Sequence, residues 1–481
     1  MGETPDAARR GAHDGGVMTT IDHTSVAAGL RSGGFVGRIV EPTDTEYDSA
    51  RVGWNGAIDR HPAAVAYATD ADDVAAAIRA ARADGLPFTV RAGAHSVSGR
   101  SIRDGALCID LRALNRVEVD PESAIVRVGG GALLGELDAA TQEHGLATPL
   151  GFISVTGVGG LTLNGGIGWL TRKHGLSCDN LVAAEVVLAN GSVVRANDTE
   201  NSELMWGLRG GGGNFGIVTS FEYRLHEISD VYFEMRFYDA AALGDVLRLF
   251  GACGPALAED CVGGAVAMTV PHSEMFPEQL HGQFVAALLL GHLGGDEAEA
   301  KQAFAPFDAA PAPLFAMGMT VPYVVAQSMQ DEDMPSGRQN YWKAGNLRGL
   351  TEDVIDVLTT RAPTVLSPHA QVMVLLLGGA MGRVGETDTA YCGRDAVFNV
   401  SIDNIWEDPA ENEEQIAWSR AFYDTLAPHL SSGVYLNWAS EESTDRVKYA
   451  YGPNYERLVA LKDQYDPTNF FRRNQNIKPS S

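Results

Sequence analysis

The sequence predicts an α+β fold in two domains, on three observations. Residues 41–228 alternate short apolar strands with amphipathic helices and carry most of the glycine clusters. Residues 229–438 read as longer alternating strands broken by helices, the pattern of an antiparallel sheet with helices on one face. The chain has 481 residues, enough for two or three domains and a large core. Residues 1–40 are expected to form a disordered or extended tail, because the first twenty are polar and rich in Gly, Ala and Asp, and Met18 is a second candidate start. Residues 439–481 return to helix and loop.

The elements follow in order. Residues 64–68 are a short apolar strand. Asp70 or Asp72 caps a helix over 74–84, and Gly85 ends it. Residues 86–90, 106–111 and 124–128 are β segments, 135–144 a helix, and 181–188 a strand. Asn190-Gly191 followed by an apolar run predicts a hairpin. Residues 217–225 alternate as another strand. In the second half, 232–238, 263–270, 283–290, 372–377 and 396–405 read as strands, and 241–250, 296–304 and 351–360 as helices. Residues 311–330 read as a Pro-punctuated connector.

Composition excludes several classes. Lys+Arg is 36 and Asp+Glu 62, a formal charge of −26 that repels nucleic acid and anionic lipid. The apolar runs are too short to span a membrane. Five scattered cysteines without a C-x-x-C pair argue against a disulfide scaffold or structural zinc, so no metal is expected, and the odd count suits a reducing, cytoplasmic compartment. No P-loop, H-E-x-x-H or nucleophile elbow occurs, and Gly157-x-Gly159 has Thr162 where a dinucleotide fingerprint needs its third glycine.

Glycine is the outlier, at 54 residues. Three clusters stand out: Arg91-Ala92-Gly93-Ala94-His95-Ser96-Val97-Ser98-Gly99, residues 151–168, and residues 209–216. Glycine permits close backbone approach, and successive exposed N–H groups form an anion cradle suited to a pyrophosphate. Three clusters in one domain point to a nucleotide cofactor. His95 sits in the first loop directly after a strand, where a neutral imidazole is a competent nucleophile or ligand.

These residues resemble a known family. The 91–99 segment resembles the R-x-G-G-H-S-x-x-G signature of vanillyl-alcohol-oxidase-type flavoproteins, specifically the berberine-bridge-enzyme-like oxidoreductases. The second cluster through Cys178-Asp179-Asn180, the run Trp206 to Thr219, and the C-terminal run from Tyr451-Gly452-Pro453 through Asn474-Gln475-Asn476-Ile477 resemble its other signatures, in order. The resemblance implies a PCMH-type FAD-binding fold, with FAD held by the first domain and the C-terminal segment. It implies a covalent bond from His95 to the flavin. It implies FAD contacts from Arg91, Ala92, Gly93, Ala94, Ser96, Gly99, Ser101, Gly130, Gly151, Thr156, Gly159, Gly160, Gly165, Gly166, Gly216, Ile217, Val218, Asn437 and Asn476. Ile153 stands where many members carry a second flavin-linked cysteine, so one covalent bond is expected, with Cys178 a buried small residue. Ala94 and Asn164 replace usual glycines, and Thr156 falls where dioxygen approaches in the family.

The reaction class implied is hydride transfer from a substrate C–H bond to flavin N5, with dioxygen reoxidising the flavin to give hydrogen peroxide. The substrate would be an alcohol, a sugar or a secondary-metabolite intermediate. Residues 396–406 match the strand that carries the family's base. By period 2, Asn399, Ser401 and Asp403 share a face. Asn399 and Ser401 occupy the base positions and are poor bases, and Asp403 reads as solvated. Tyr435 is the preferred base, as a phenol of lowered pKa. Tyr341, Trp342 and Tyr391 are expected to line the substrate pocket. Two alternatives remain at this point: a dehydrogenase or cyclase of low oxygen reactivity, and a non-catalytic flavin- or ligand-binding protein. Substrate identity and oligomeric state are not legible.

Overall fold

The computed structural model describes residues 23–431, 433–440 and 444–480. The expectations for residues 1–20, including Met18 as a start, lie outside the described residues. The tail is shorter than 1–40: His23–Ser32 is a helix. Its Val26 and Leu30, four apart, enter the same apolar cluster as Val74, Ile78 and Phe88.

The first domain holds two sheets. One is ordered Ile39–Val40, Ala64–Tyr67, Leu107–Asp110, Phe88–Arg91, with the last three strands parallel. Parallel pairing needs a covered crossover, and Ala71–Ala83 supplies it as a helix with Asp70 accepting from the Asp73 N–H. The other is antiparallel, ordered Val117–Asp120, Ile125–Gly129, Ile217–Arg224, Leu181–Val187, Val193–Asn197. The predicted turn at Asn190-Gly191 joins its last two strands, with Gly191 at φ +79°.

The second domain is one seven-stranded antiparallel sheet. Its order is Phe315–Pro322, Asp230–Asp239, Phe284–His292, Cys261–Thr269, Gln371–Leu376, Phe398–Trp406, Gln339–Leu347. Helices Leu243–Cys253, Glu352–Arg361 and Asn412–Leu426 pack on one face through Phe250, Leu358 and Phe422. Four elements differ from expectation. Residues 311–330 are not a plain connector: they contain the edge strand Phe315–Pro322 and the helix Tyr323–Ser328. The strand Gln339–Leu347 and the helix Asn412–Leu426 carry polar residues at buried positions, Asn340, Asn346, Gln415 and Ser419, which masks their apolar periodicity.

The C-terminal segment packs into the first domain's core, where Tyr451, Leu458, Leu461 and Ile477 meet Leu204, Trp206 and Phe215. A buried ion pair clamps it. Lys462 Nζ donates to Asp466 Oδ2 at 2.6 Å and to the Asn214 and Phe471 carbonyls, and both side chains are fully buried. Asp466 in turn accepts from the Phe470 and Phe471 N–H groups. Removing one partner strands a buried charge, so Lys462→Met is expected to lower unfolding free energy by about 3–5 kcal/mol, read by urea denaturation.

Candidate active site

A cavity lies between the two domains. Its floor comes from the glycine clusters, its far wall from the inner face of the seven-stranded sheet, and one end from residues 471–475. The loop after Phe88–Arg91 and the loop before Val158–Leu163 touch through Gly93 and Gly157: a Cβ on Gly93 would fall 2.4 Å from the Gly157 nitrogen. Only glycine allows that approach, which brings the first two clusters into one surface. Ala94 holds φ +55°, a left-handed backbone that costs an L-residue about 1–2 kcal/mol and that the family's usual glycine would adopt freely.

His95 faces this cavity. Its ring stacks on Trp54 at 4.0 Å between centroids, and its Nε2 is buried without a hydrogen-bond partner. Burial pushes its pKa down to about 4, so the imidazole is neutral at physiological pH with a lone pair available. Trp54 is itself held across the domains, its Nε1 donating to the Met334 carbonyl and its edge meeting Trp342. Asn55 bonds both the Val97 and Asn340 carbonyls. His95 therefore rests on an inter-domain clasp rather than on a free loop.

Of the residues predicted to contact cofactor, Ala92, Gly93, Ala94, Ser96, Ser101, Gly130, Gly151, Thr156, Gly159, Gly160, Gly216, Ile217, Val218 and Asn437 line the cavity. Five do not. Arg91 is buried against Asp110 and donates to the Ala50 and Val52 carbonyls, so it braces the strand beneath the loop. Gly99 packs on Ile58. Gly165 and Gly166 lie behind the wall against Tyr391 and Ser177, with Gly165 at φ +110°. Asn476 falls outside the wall, although its Oδ1 is buried without a partner.

The pocket expectations need similar correction. Trp342 lines the cavity and Tyr341 does not. Adjacent residues of a strand point to opposite faces, so only one of the pair can. Tyr341 instead accepts from Arg420 on the helical side of the sheet. Tyr391 is buried against Gly165 and Gly210, away from the cavity. Asn399 is fully buried and donates to Asn346 Oδ1. Ser401 donates its hydroxyl to Asp403 and does not reach the cavity itself.

Asp403 is the carboxylate on the wall, and it is not solvated. It is 4% exposed, lines the cavity, and accepts from Ser401 Oγ and from Gln371 Nε2 at 3.2 Å. Burial lifts its pKa to about 6 despite those two bonds. Gln371 sits opposite it on the neighbouring strand, with Met373 opposite Ser401. Tyr435 also lines the cavity, but burial raises its pKa to about 12, opposite to the lowered value expected. Its hydroxyl oxygen accepts from the Ile167 N–H at 2.9 Å and from Asn437 Nδ2 at 3.1 Å. Asn437 also donates to the Leu161 carbonyl.

No cysteine lines the cavity: Ile153 does, and Cys178 is fully buried in an apolar cluster with Ile167, Leu176 and Tyr435. Among the described residues one trio suits a metal by proximity, Asp260, Cys261 and His292, and none of the three lines the cavity. His292 Nδ1 accepts from the Gly294 N–H at 3.3 Å.

The cavity suits FAD. The glycine cradle leaves backbone room, His95 Nε2 and the Oδ1 atoms of Asn164 and Asn474 are buried polar atoms without partners, and Arg100, Arg472 and Arg473 line one region as cations for an anionic linker. Comparison with known proteins agrees. Residues 62–197 match the family model "FAD binding domain", and residues 434–478 match "Berberine and berberine like". The chain is 30% identical over 452 residues to the FAD-linked oxidoreductase YgaK of Bacillus subtilis, covering 92% of this chain and 97% of that one. It is 29% identical over 469 residues to (R)-6-hydroxynicotine oxidase of Paenarthrobacter nicotinovorans, covering 92% and 97%. The crystal structure of 6-hydroxy-D-nicotine oxidase from Arthrobacter nicotinovorans superposes with a TM-score of 0.83 at 28% identity, over 93% of this chain and 99% of that one. Agreement along nine-tenths of the sequence, with residues of both matched segments lining one cavity, makes this chain a member of the berberine-bridge-enzyme-like FAD-linked oxidoreductases.

Proposed function

We propose that this enzyme is an oxidase of a small, ring-bearing alcohol or amine, with Asp403 as its general base and FAD attached through His95 alone. When bound, FAD supplies the hydride acceptor and the route to dioxygen. The observation that carries the reading is the buried, cavity-facing carboxylate of Asp403, whose raised pKa suits a base near neutral pH. It takes the proton of a substrate O–H or N–H while Gln371 and Ser401 hold it in place. Such a base removes the ground for a non-catalytic reading.

The rest of the compartment speaks to the substrate. Around Asp403 the wall is Phe152, Ile153, Met334, Trp342, Met373 and Trp438, with Gln330 and Gln371 as the polar additions. An oligosaccharide presents many hydroxyls that this wall leaves unpaired, and each costs affinity. A flat apolar ring with one hydroxyl or amine satisfies it. Tyr435 stays a protonated phenol that fixes the Ile167 N–H and Asn437. The five free cysteines support a reducing, cytoplasmic setting.

The test is a panel of ring-bearing alcohols and amines against oligosaccharides, scored by flavin bleaching without oxygen and peroxide release with it. Bleaching by ring compounds with one peroxide per turnover is expected. Bleaching without peroxide would make the enzyme a dehydrogenase. Turnover of oligosaccharides alone would overturn the substrate class.

A further inference from the structure

The strand Phe315–Pro322 is an edge of the seven-stranded sheet, and among the described residues it pairs only with Asp230–Asp239. An open edge presents unpaired N–H and C=O groups to any other strand, and proteins ordinarily blunt it with charge, usually lysine. Here nothing does. Residues 309–330 contain no Asp, Glu, Lys, Arg or His, in a chain whose formal charge is −26. The stretch is also apolar where it meets solvent: Leu314 is 50% exposed, and Val324 and Val325, on the following helix, are 37% and 44% exposed.

We propose that this edge pairs antiparallel with the same edge of a second copy, joining two seven-stranded sheets about a two-fold axis. Self-complementarity favours that occupant. An antiparallel strand pair is isologous, so residue i faces j while j faces i, and one strand meets the geometry without a different partner. Charge favours it too. Two copies at −26 repel, and this uncharged edge lets them meet without like charges opposed. Arg236, opposite Ala316 on the neighbouring strand, is engaged with both Glu234 and Asp308.

The pairing reaches the active site. The edge strand runs through Tyr323–Ser328 into Gln330 and Met334, which line the cavity, and Asp331 accepts from the Ser154 N–H and hydroxyl across the domains. A second copy on the edge would steady that wall.

The experiment is light scattering of the holoenzyme across a concentration series, with Ala316→Lys/Thr320→Lys as the variant. Both positions are exposed and outside the cavity, and the double lysine sets like charges against each other across the axis. The wild type is expected at twice 51.2 kDa, and the variant as a monomer of unchanged flavin content, with a dimer Kd raised by about 100-fold or more. A wild type that stays monomeric, or a variant that dimerises equally well, overturns the proposal. Should the variant fold poorly, hydrogen exchange of the wild type decides: amides of 315–322 are expected to lose protection on dilution, and loss confined to another surface overturns it.

Discussion

Asp403→Asn is expected to lower kcat by about 100- to 10,000-fold, the range that a positioned general base contributes. Asparagine keeps the shape and an acceptor for Ser401 and Gln371 but cannot take a proton. In the wild type, activity is expected to rise with pH as the carboxyl ionises near 6 and then to level. In the variant that limb disappears. A variant within a few-fold of wild type, with the limb near pH 6 intact, would remove Asp403 from the chemistry. The same substitution has an opposite effect on stability. The carboxyl pKa is raised from 3.8 to about 6, so the folded state holds the proton more tightly than the unfolded chain. Its unfavourable contribution is absent below 3.8, grows as pH rises to about 6, and is constant above, at about 3 kcal/mol for a shift of this size. Asparagine escapes it, so the variant is expected to unfold at higher urea than wild type at pH 8 and with little difference at pH 3.5.

His95→Ala is the second large effect. Acid precipitation of the wild type is expected to leave yellow colour in the pellet, carried by the peptide containing His95. The variant is expected to release all flavin to the supernatant and to need added FAD for turnover. Cys178→Ala is expected to behave as wild type, because Cys178 is fully buried outside the cavity. A flavin-modified peptide containing Cys178, or colour retained in the His95→Ala pellet, would overturn the single attachment. The neutral imidazole and its unpartnered Nε2 are the features on which the proposed attachment at His95 rests, and its ring stacks on Trp54.

The comparison of Asp403 with His95 shows where local pattern suffices. His95 was legible because its signal is short-range: a strand, then a loop of Gly93, Ala94 and Ser96 that must approach another backbone. Glycine requirements, helix caps such as Asp70 and turns such as Asn190-Gly191 are decided within a few residues, where chain geometry acts directly. Alternation likewise placed Asn399, Ser401 and Asp403 on one face. It does not say how far along the strand the cavity reaches. That depends on Gln371–Leu376 lying beside Phe398–Trp406 and on Trp342 and Met334 closing over the end.

By itself, then, the sequence determined the α+β class, the glycine loops and the family, and it singled out His95, which the structure places on the cavity wall. Tertiary structure decided which carboxylate is dry. A side chain's pKa follows its desolvation, and desolvation follows from neighbours far away in the chain: Gln371 beside Asp403, Ile167 beside Tyr435. It also decided that Tyr341 and Tyr391 serve packing, and that 311–330 is an edge strand and helix rather than a connector. Periodicity reports which residues share a face, but only the packed neighbours determine whether that face meets water, a helix or a substrate.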